Sequence, residues 1–515
     1  MRRVLVLVRL PGIAFALGRA GVLGHLARLP QLPGWLAGLC RFIDRVMAGQ
    51  RTDIQAGAAL CDALQALGPA FIKFGQALST RSDLLGPDIA GGLTLLQDQL
   101  PAFPAARARA LIEEETGRPL QETFAEFEAE PVAAASVAQV HKARLQDGRW
   151  VAVKLLRPGI HQRMARDIRL FDMLAGLVEW AAPGLRRLKL REAVRQFETI
   201  SEIELDLRME AAAGGKLADN LAGDAGVRVP WMDLQNSTAN MLISEWIDGR
   251  RIDDRAGLLA AGHDISVLTE RAADSFFKQV FRDGYFHADM HPGNILVAED
   301  GMLVPIDFGI MGHLELEDRL FLAELLLAML DRDYDRLASL HDEAGMLSAE
   351  VELAQFAQSL RAVVEPVLGK NLGEIELGRA LGQILQISAR FNIAVQPQFN
   401  LLQKTLGMAE GVARELSPGS NIWELAGPLA ADWKAGQTGL SLRLARTAQD
   451  LAKLVRLLPG FLEQMERQQN IPPEASPSPG RWAMGIAGLA SIAAGIAAGF
   501  AGGILLTLAL LGLIH

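Results

Sequence analysis

The segment His287-Ala288-Asp289-Met290-His291-Pro292-Gly293-Asn294 decides the fold, together with Asp307-Phe308-Gly309 downstream. Asp289 and Asn294 are five positions apart, and Asp307 follows Asn294 by thirteen, which leaves room for a short pair of strands. A carboxylate can accept or orient a proton, while an amide oxygen and a second carboxylate can hold Mg²⁺ against phosphate groups. The spacing therefore predicts a phosphate-handling site, with Asp289 as the catalytic residue and Asn294 and Asp307 as metal ligands.

The two histidines of the same segment offer an alternative. His287, Asp289 and His291 could together ligate a transition metal. That interpretation leaves Asn294 and Asp307 without a role, so the phosphate-handling site explains more of the pattern.

A lysine on a strand-like run lies upstream of this segment. Two such runs, residues 137–145 and 150–156, flank Asp147-Gly148, a pair typical of a tight hairpin. On the second run Lys154 can be aimed into a cleft as a point charge for phosphate, although an edge-strand lysine has the same pattern. A strand lysine, a loop with carboxylate and amide, and a following Asp-Phe-Gly are together the arrangement of protein kinases.

The loop before the strand lysine lacks the glycines that protein kinases carry there. Alanine does not take a positive φ without cost, so this loop must hold a nucleotide in another way. By itself the stretch is also typical of an ordinary small-residue turn. Its members, called the alanine-rich loop below, are Val132, Ala133, Ala134, Ala135, Ser136, Val137, Ala138, Gln139 and Val140.

These motifs together resemble the UbiB family of atypical, protein-kinase-like proteins, over roughly residues 50–350. The hallmarks of that family are an alanine-rich nucleotide loop, a KxGQ motif in an N-terminal extension, an ExD motif, and HADxHPGN with DFG. This chain has Lys73-Phe74-Gly75-Gln76 and Glu204-Leu205-Asp206 besides the segments above. The resemblance implies an α+β, protein-kinase-like two-lobed fold, with ATP and Mg²⁺ as cofactors.

The resemblance also implies roles for residues that spacing alone does not single out. Lys154 would contact the α- and β-phosphates, and Glu210 would be its partner on a helix. Because Glu210 lies 56 residues downstream of Lys154, an insertion near residues 157–190 is expected. Glu245 would open the hinge at residues 245–248 that meets adenine, and the alanine-rich loop would contact the nucleotide.

The KxGQ motif is expected to regulate the site. Lys73 and Gln76 are three positions apart and so share a helix face. In the family interpretation this helix lies over the active site, where both residues meet Glu204 and Asp206. That position would block a protein substrate and favours ATP hydrolysis or a restricted substrate.

The chain is expected to end in a membrane anchor. From Trp482 to Ile514 there are 33 residues without a charge, more than the roughly 20 that span a bilayer core. One long span or a tight hairpin are both possible, and Gly495, Gly499 and Gly503 favour a homodimer through helix contact. The expected domains are a helical extension (1–120), an N-lobe (121–250), a helical C-lobe ending in a basic amphipathic helix (251–470), a proline-rich linker (471–481) and the transmembrane segment (482–514).

The net charge of the chain and its expected place at a membrane limit the classes of function it can have. The 51 basic and 60 acidic residues give a net charge of −9, which excludes a general nucleic-acid binder. Basic residues on one side of the anchor predict that the catalytic domain is cytoplasmic, at a bacterial inner membrane. The family resemblance implies a membrane-anchored atypical kinase or ATPase that supports ubiquinone biosynthesis. Its partners would be membrane lipid, ubiquinone-biosynthesis enzymes and prenylated quinone precursors.

Two alternative functions remain open. One is a small-molecule kinase of the aminoglycoside or choline phosphotransferase type, in which Asp289 activates a substrate hydroxyl. The other is a nucleotide-gated scaffold without catalysis. The KxGQ motif favours the family interpretation over the first, and the intact set of Lys154, Asp289, Asn294 and Asp307 argues against the second.

Overall fold

The computed structural model describes residues 10–20, 34–47, 53–79, 100–181, 189–348, 350–366, 397–417 and 422–437, with a few isolated positions between them. These residues form two compact units. The first comprises the described residues up to 97 and those from 162 to 198, and the second those from 98 to 161 and from 199 to 437. Residues 98–120, which the sequence assigned to the extension, therefore lie in the second unit.

Four helices of the first unit precede the sheet: α1 Leu10–Ala20, α2 Gly34–Met47, α3 Asp53–Leu67 and α4 Pro69–Ser79. Gly68 and Pro69 divide α3 from α4. Gly68 has a φ of 109°, which a residue with a Cβ rarely adopts, and Pro69 starts the next helix, where no N–H is needed.

The first half of the second unit contains a mixed set of elements. In chain order these are α5 Ala105–Thr116, α6 Leu120–Thr123, β1 Phe124–Phe127, β2 Ala133–Ala134, β3 Ala138–Leu145, β4 Trp150–Leu156, α7 Ile160–Ala181, α8 Leu190–Glu204, α9 Leu207–Asn220 and β5 Met241–Glu245. Most of α7 and most of α8 fall in the first unit. Helix α7 occupies most of the insertion expected near residues 157–190, and α8 follows it.

The strands β1–β5 form one antiparallel sheet in the order β1-β3-β4-β5, with β2 paired to β3. The predicted hairpin at Asp147-Gly148 joins β3 to β4. Gly148 has a φ of 88° and donates its N–H to the Leu145 carbonyl at 3.0 Å. This turn fixes the register that pairs Lys154 with Val140 across the strands.

One face of the sheet is buried against α5. The strand residues Val151, Val153 and Leu155 are fully buried, and they share one hydrophobic core with Leu111 and Ile112 of that helix. Burying a side chain of this size stabilises a fold by about 1.5–3 kcal/mol. Because side chains alternate along a strand, Lys154 lies on the other face, which stays available for a site.

The rest of the second unit is mostly helical, as predicted. Its elements are β6 Gly249–Arg251, α10 Arg255–Ala260, α11 Ile265–Phe277, a π-helix Lys278–Asp283, β7 Tyr285–His287, a 3₁₀ turn Pro292–Asn294, β8 Ile295–Ala298, β9 Leu303–Pro305, β10 Met311–His313, α12 Leu316–Leu330, α13 Tyr334–Glu343, α14 Leu353–Val364, α15 Pro397–Leu416 and α16 Ile422–Gln437. The strands form a β6-β8-β9 sheet and a β7-β10 pair. Phe286 of β7, Leu402 of α15 and Ala430 of α16 share one buried core.

No helix among the described residues is long and apolar enough to cross a membrane. The predicted transmembrane segment (482–514), the linker (471–481) and the basic amphipathic helix before them lie outside the described residues.

Candidate active site

Lys154 is the centre of a cluster formed by three separate elements of the second unit. Its Nζ donates to both carboxylate oxygens of Glu210 on α9, at 2.8 and 2.9 Å. It also donates to Oδ2 of Asp307, at 3.3 Å. The structure thus brings together the strand lysine, the helix acid and the aspartate of the Asp-Phe-Gly segment.

Burial and charge act against each other in this cluster. Burial lowers the pKa of Lys154, but the carboxylates of Asp307 and Glu210 outweigh it, so the pKa lies above its ordinary value. Burial raises the pKa of Glu210 to about 6, with a further rise from Asp307 and an opposing effect from Lys154. At neutral pH, Lys154 and Glu210 are therefore an ion pair.

The helix that carries Glu210 is fixed at its start and on its inner face. Asp206 caps α9, because its carboxylate accepts the Arg208 backbone N–H at 3.1 Å. One turn after Glu210, Gly214 leaves room for the ring of Phe308. A Cβ at Gly214 would lie 3.0 Å from Cδ2 of that ring and 2.7 Å from Cε of Met232. Gly214 therefore lets Phe308, which is 2% exposed, pack directly on α9.

Asp289 and Asn294 are in direct contact. The Asn294 side-chain amide donates to Oδ2 of Asp289 at 3.0 Å and to its carbonyl at 3.1 Å. The 3₁₀ turn Pro292–Asn294 supplies this geometry, and His291 caps it by accepting the Gly293 N–H at 3.1 Å. The five-residue spacing therefore places the amide of Asn294 beside the carboxylate of Asp289.

His287 supports Asp289 from the other side. Its Nδ1 accepts the Asp289 backbone N–H at 3.2 Å, and its own backbone N–H donates to Oε1 of Gln279 at 3.0 Å. Burial lowers the pKa of His287, although Asp307 and Asp289 oppose the shift, so the ring is neutral at pH 7 and able to accept. Nδ1 of His287 and Nδ1 of His291 each accept a backbone N–H, so neither of these two nitrogens is free to ligate a transition metal. Among the described residues, no group of three or more His, Cys, Asp or Glu side chains is arranged to hold a metal ion.

Asp307 follows the predicted strand pair, β8 and β9. The Ile306 N–H donates to the Asn294 carbonyl at 3.0 Å, which joins the end of β9 to residues 287–294, called the catalytic loop below. Oδ1 of Asp307 accepts the Gly309 N–H at 3.1 Å. The carboxylate is therefore held on one side by its own turn and on the other by Lys154.

The alanine-rich loop is a short hairpin of β2 and β3. The Ala135 N–H donates to the Ala138 carbonyl at 2.8 Å, and the Val132 N–H donates to the Val140 carbonyl at the same distance. Among the described residues, the non-glycine positions with a positive φ are Lys189 and Arg332, so no alanine of this loop is strained. The loop forms with ordinary alanine conformations, in place of the flexible glycines of protein kinases.

Two residues bind the loop to the chain segment before the sheet. The guanidinium of Arg157 donates to the Ala135 carbonyl at 2.7 and 3.0 Å, and to the carbonyls of Pro101 and Leu100 at 2.9 and 3.2 Å. Gln139 accepts the Phe103 N–H at 2.9 Å. Because Gln139 lies on the sheet face opposite Lys154, its buried side chain holds this segment and does not reach a nucleotide bound beside Lys154.

Glu245 ends β5, where the hinge was expected. Its side chain pairs with Arg228 at 2.8 Å and accepts the Trp231 N–H at 3.2 Å. Its own N–H donates to the Trp231 carbonyl at 2.8 Å. The carboxylate therefore anchors residues 228–231 to the sheet.

The KxGQ residues lie on α4 of the first unit. The Gln76 amide donates to the Leu96 carbonyl at 3.4 Å. Gly75 is required by packing, since a Cβ there would lie 2.5 Å from a methyl of Leu96 and 2.7 Å from one of Leu64. Glu204 and Asp206 belong to the second unit, so the expected meeting of Lys73 and Gln76 with them stays a prediction.

Sequence reasoning missed Gly214, Arg157 and Gln279. Gly214 had a detectable signal, because a glycine four positions after Glu210 in a helical stretch marks close packing on the same helix face. Arg157 and Gln279 carried no such signal in the sequence. The partners of Arg157 are backbone carbonyls distant in sequence, and the partner of Gln279 is a backbone N–H at the start of the catalytic loop, whose path the sequence does not reveal.

Comparison with known proteins agrees with this geometry. A family model described as the ABC1 atypical kinase-like domain matches residues 95–341, and one described as the UbiB helical domain matches residues 360–421. The first match begins close to the boundary of the second unit.

Similar proteins cover most of the chain. A "Probable protein kinase UbiB" from Marinobacter nauticus is 42% identical over 80% of this chain and 75% of its own length. A protein of the same name from Pseudomonas putida is 40% identical over 92% of this chain and 90% of its own. Among solved structures, the complex of Rv3197 with erythromycin from Mycobacterium tuberculosis has a TM-score of 0.50 and 25% identity, covering 69% of this chain and 90% of that chain. The fold is kinase-like, and the chain belongs to the UbiB family of ABC1 atypical kinase-like proteins.

Proposed function

We propose that this chain binds Mg-ATP at the Lys154 cluster and turns it over, as a membrane-anchored atypical kinase or ATPase that supports ubiquinone biosynthesis. The observation that carries the proposal is the joining of Lys154 to Glu210 and Asp307 at 2.8 and 3.3 Å. A kinase needs a phosphate-binding lysine oriented by an acid and placed beside a metal-binding aspartate. The chain positions all three from different elements.

Lys154 would bind the phosphates. Its raised pKa keeps the ammonium charged, and Glu210 fixes its direction. The ammonium group of lysine is a compact point charge, which suits contact with a single phosphate oxygen. The alanine-rich loop would cover the nucleotide with backbone N–H groups, and residues 245–248 would meet the adenine.

Asp307 and Asn294 fit a magnesium ion. Mg²⁺ takes oxygen ligands, and it is commonly held by one or two protein groups together with phosphates and water. Asp307 offers a carboxylate, and Asn294 donates with its amide nitrogen to Asp289, which leaves its amide oxygen for a cation. When bound, the ion would neutralise charge on the transferred phosphoryl group.

Asp289 would receive the proton of the phosphoryl acceptor. The Asn294 amide and the His287 ring hold this residue in place, through its carboxylate and its backbone N–H respectively. An aspartate in this position accepts or orients the proton of an attacking hydroxyl or water. Water would make the chain an ATPase, and a substrate hydroxyl would make it a kinase for a small molecule.

The membrane part of the proposal is supported by the sequence. The uncharged residues 482–514 are long enough for a span, and their GxxxG spacing suits a homodimer. A cytoplasmic catalytic domain anchored at a bacterial inner membrane could reach prenylated quinone precursors and the enzymes that act on them. The KxGQ motif, with Lys73 and Gln76, would restrict access by meeting Glu204 and Asp206.

Phosphate release by the purified full chain tests the proposal. The protein is given Mg-ATP with and without vesicles of anionic lipid, and with and without a soluble prenylphenol-like compound. We expect release of inorganic phosphate without a phosphorylated product, and stimulation by lipid. A phosphorylated small molecule would favour the small-molecule kinase, and nucleotide binding without any turnover would favour the scaffold.

A further inference from the structure

The hydroxyl of Thr405 connects two distant parts of the second unit. Thr405 lies on α15 and is 0% exposed. Its Oγ1 lies 2.9 Å from the carbonyl oxygen of Leu401, one turn earlier, and 3.1 Å from that of Ala288. A threonine in a helix commonly donates to the carbonyl four residues before it. The contact with Ala288, 117 residues away, is the unusual one.

Ala288 is the residue directly before Asp289. It is fully buried, and its N–H donates to the Ile310 carbonyl at 3.0 Å. Of the residues that the structure describes, Thr405 is the one whose hydroxyl reaches the Ala288 carbonyl, and its single proton is shared between that carbonyl and the carbonyl of Leu401. A buried carbonyl without a donor is unfavourable, so removal of this hydroxyl would favour a local rearrangement of the backbone next to Asp289.

Thr405 belongs to the part of the chain that matches the UbiB helical domain, residues 360–421. Leu402, three positions before Thr405, shares the buried core that contains Phe286 and Ala288. The helix is therefore packed against the catalytic loop as well as hydrogen-bonded to it.

We propose that Thr405 is a positioning residue, which holds the catalytic loop through the Ala288 carbonyl so that Asp289 has the orientation needed for phosphoryl transfer. This inference rests on the proposed function for the role of Asp289. A positioning effect should reduce kcat and leave nucleotide binding intact, because Lys154, Glu210 and the alanine-rich loop are held by other contacts. A displacement of about 1 Å at a reacting group can cost about a hundredfold in rate.

Three variants of the full chain separate positioning from packing. Thr405→Val removes the hydroxyl and keeps the shape, whereas Thr405→Ser keeps the hydroxyl. Thr269→Val is the matched control, because Thr269 is 3% exposed on α11 and donates to the Ile265 carbonyl one turn earlier at 2.8 Å. If Thr405→Val does not fold, Thr405→Ala replaces it.

Steady-state phosphate release and hydrogen exchange of residues 285–294 are measured for each variant. We expect Thr405→Val to lower kcat about tenfold or more with KM for ATP within about twofold, and to speed exchange in that segment. Thr405→Ser and the control Thr269→Val should both keep the kcat and the exchange rate of the wild type. The inference is wrong if Thr405→Val keeps its kcat and exchange, or if Thr269→Val matches its losses. An inactive wild type would instead refute the proposed function, and the exchange data would still decide whether Thr405 holds the loop.

Discussion

The carboxylate of Glu210 meets Nζ of Lys154 with both of its oxygens, at 2.8 and 2.9 Å, although 56 residues separate the two in sequence. Two helices, α7 and α8, occupy most of that interval. The contact joins α9 to β4. Because Lys154 also donates to Asp307, the pair connects the sheet with the Asp-Phe-Gly segment of the second unit. Breaking it is therefore expected to affect both stability and nucleotide binding.

Glu210→Gln removes the charge and keeps the shape. We expect weaker Mg-ATP binding and a free energy of unfolding lower by up to about 3 kcal/mol, since Asp307 still partners Lys154. Denaturant unfolding and nucleotide titration measure the two effects. Glu114→Gln, which removes an exposed pair with Arg107, is the control and should change stability by less than about 0.5 kcal/mol. Equal behaviour of both variants would contradict a central role for the pair.

Gly214 and Gly215 form a matched pair on α9. A Cβ at Gly214 would press on Phe308 and Met232, whereas nothing lies within 4 Å of one at Gly215. Gly215→Ala should stabilise the protein by about 0.5–1 kcal/mol through helix propensity and leave phosphate release unchanged. Gly214→Ala should displace Phe308, and with it Asp307, and lower phosphate release about tenfold. If Gly214→Ala is as active as Gly215→Ala, the packing of Phe308 does not control the site.

Much of the second unit could be predicted because its motifs are local. The pair Asp147-Gly148 is enough to indicate a hairpin. The five-residue spacing from Asp289 to Asn294 fits a short turn, which places the Asn294 amide beside the Asp289 carboxylate. Glu210 needed the family resemblance, since no local pattern identifies an acid 56 residues from its partner. Arg157 and Thr405 could not be predicted at all, because their partners are backbone carbonyls whose position depends on the finished fold.

Arg157→Lys tests whether the alanine-rich loop needs its support. The variant keeps the charge but loses the planar fork that reaches the carbonyls of Ala135, Pro101 and Leu100 together. We expect ATP affinity to fall about tenfold, because a tenfold loss corresponds to about the free energy of one charge-assisted hydrogen bond. Nucleotide titration measures this, with the exposed Arg107→Lys as a control. Unchanged affinity would show that the loop keeps its shape without the fork.

Removal of residues 471–515 tests the proposed anchor. We expect the shortened protein to leave the membrane fraction, because the uncharged segment is gone, and to keep its ATP affinity, because the linker separates it from the site. Sedimentation after a salt wash and nucleotide titration measure the two properties. If the shortened protein still sediments with membranes, another part of the chain binds them.

The dissociation constant for ATP, with and without Mg²⁺, tests the central claim most directly when the wild type is compared with Asp307→Asn. The account predicts that Mg²⁺ tightens ATP binding by the wild type at least about tenfold, since Asp307 supplies the charged ligand of the ion. The variant, whose amide carries no charge, should gain little from Mg²⁺ and should release no phosphate. An Asp307→Asn variant that binds Mg-ATP as tightly as the wild type, and turns it over, would contradict the account.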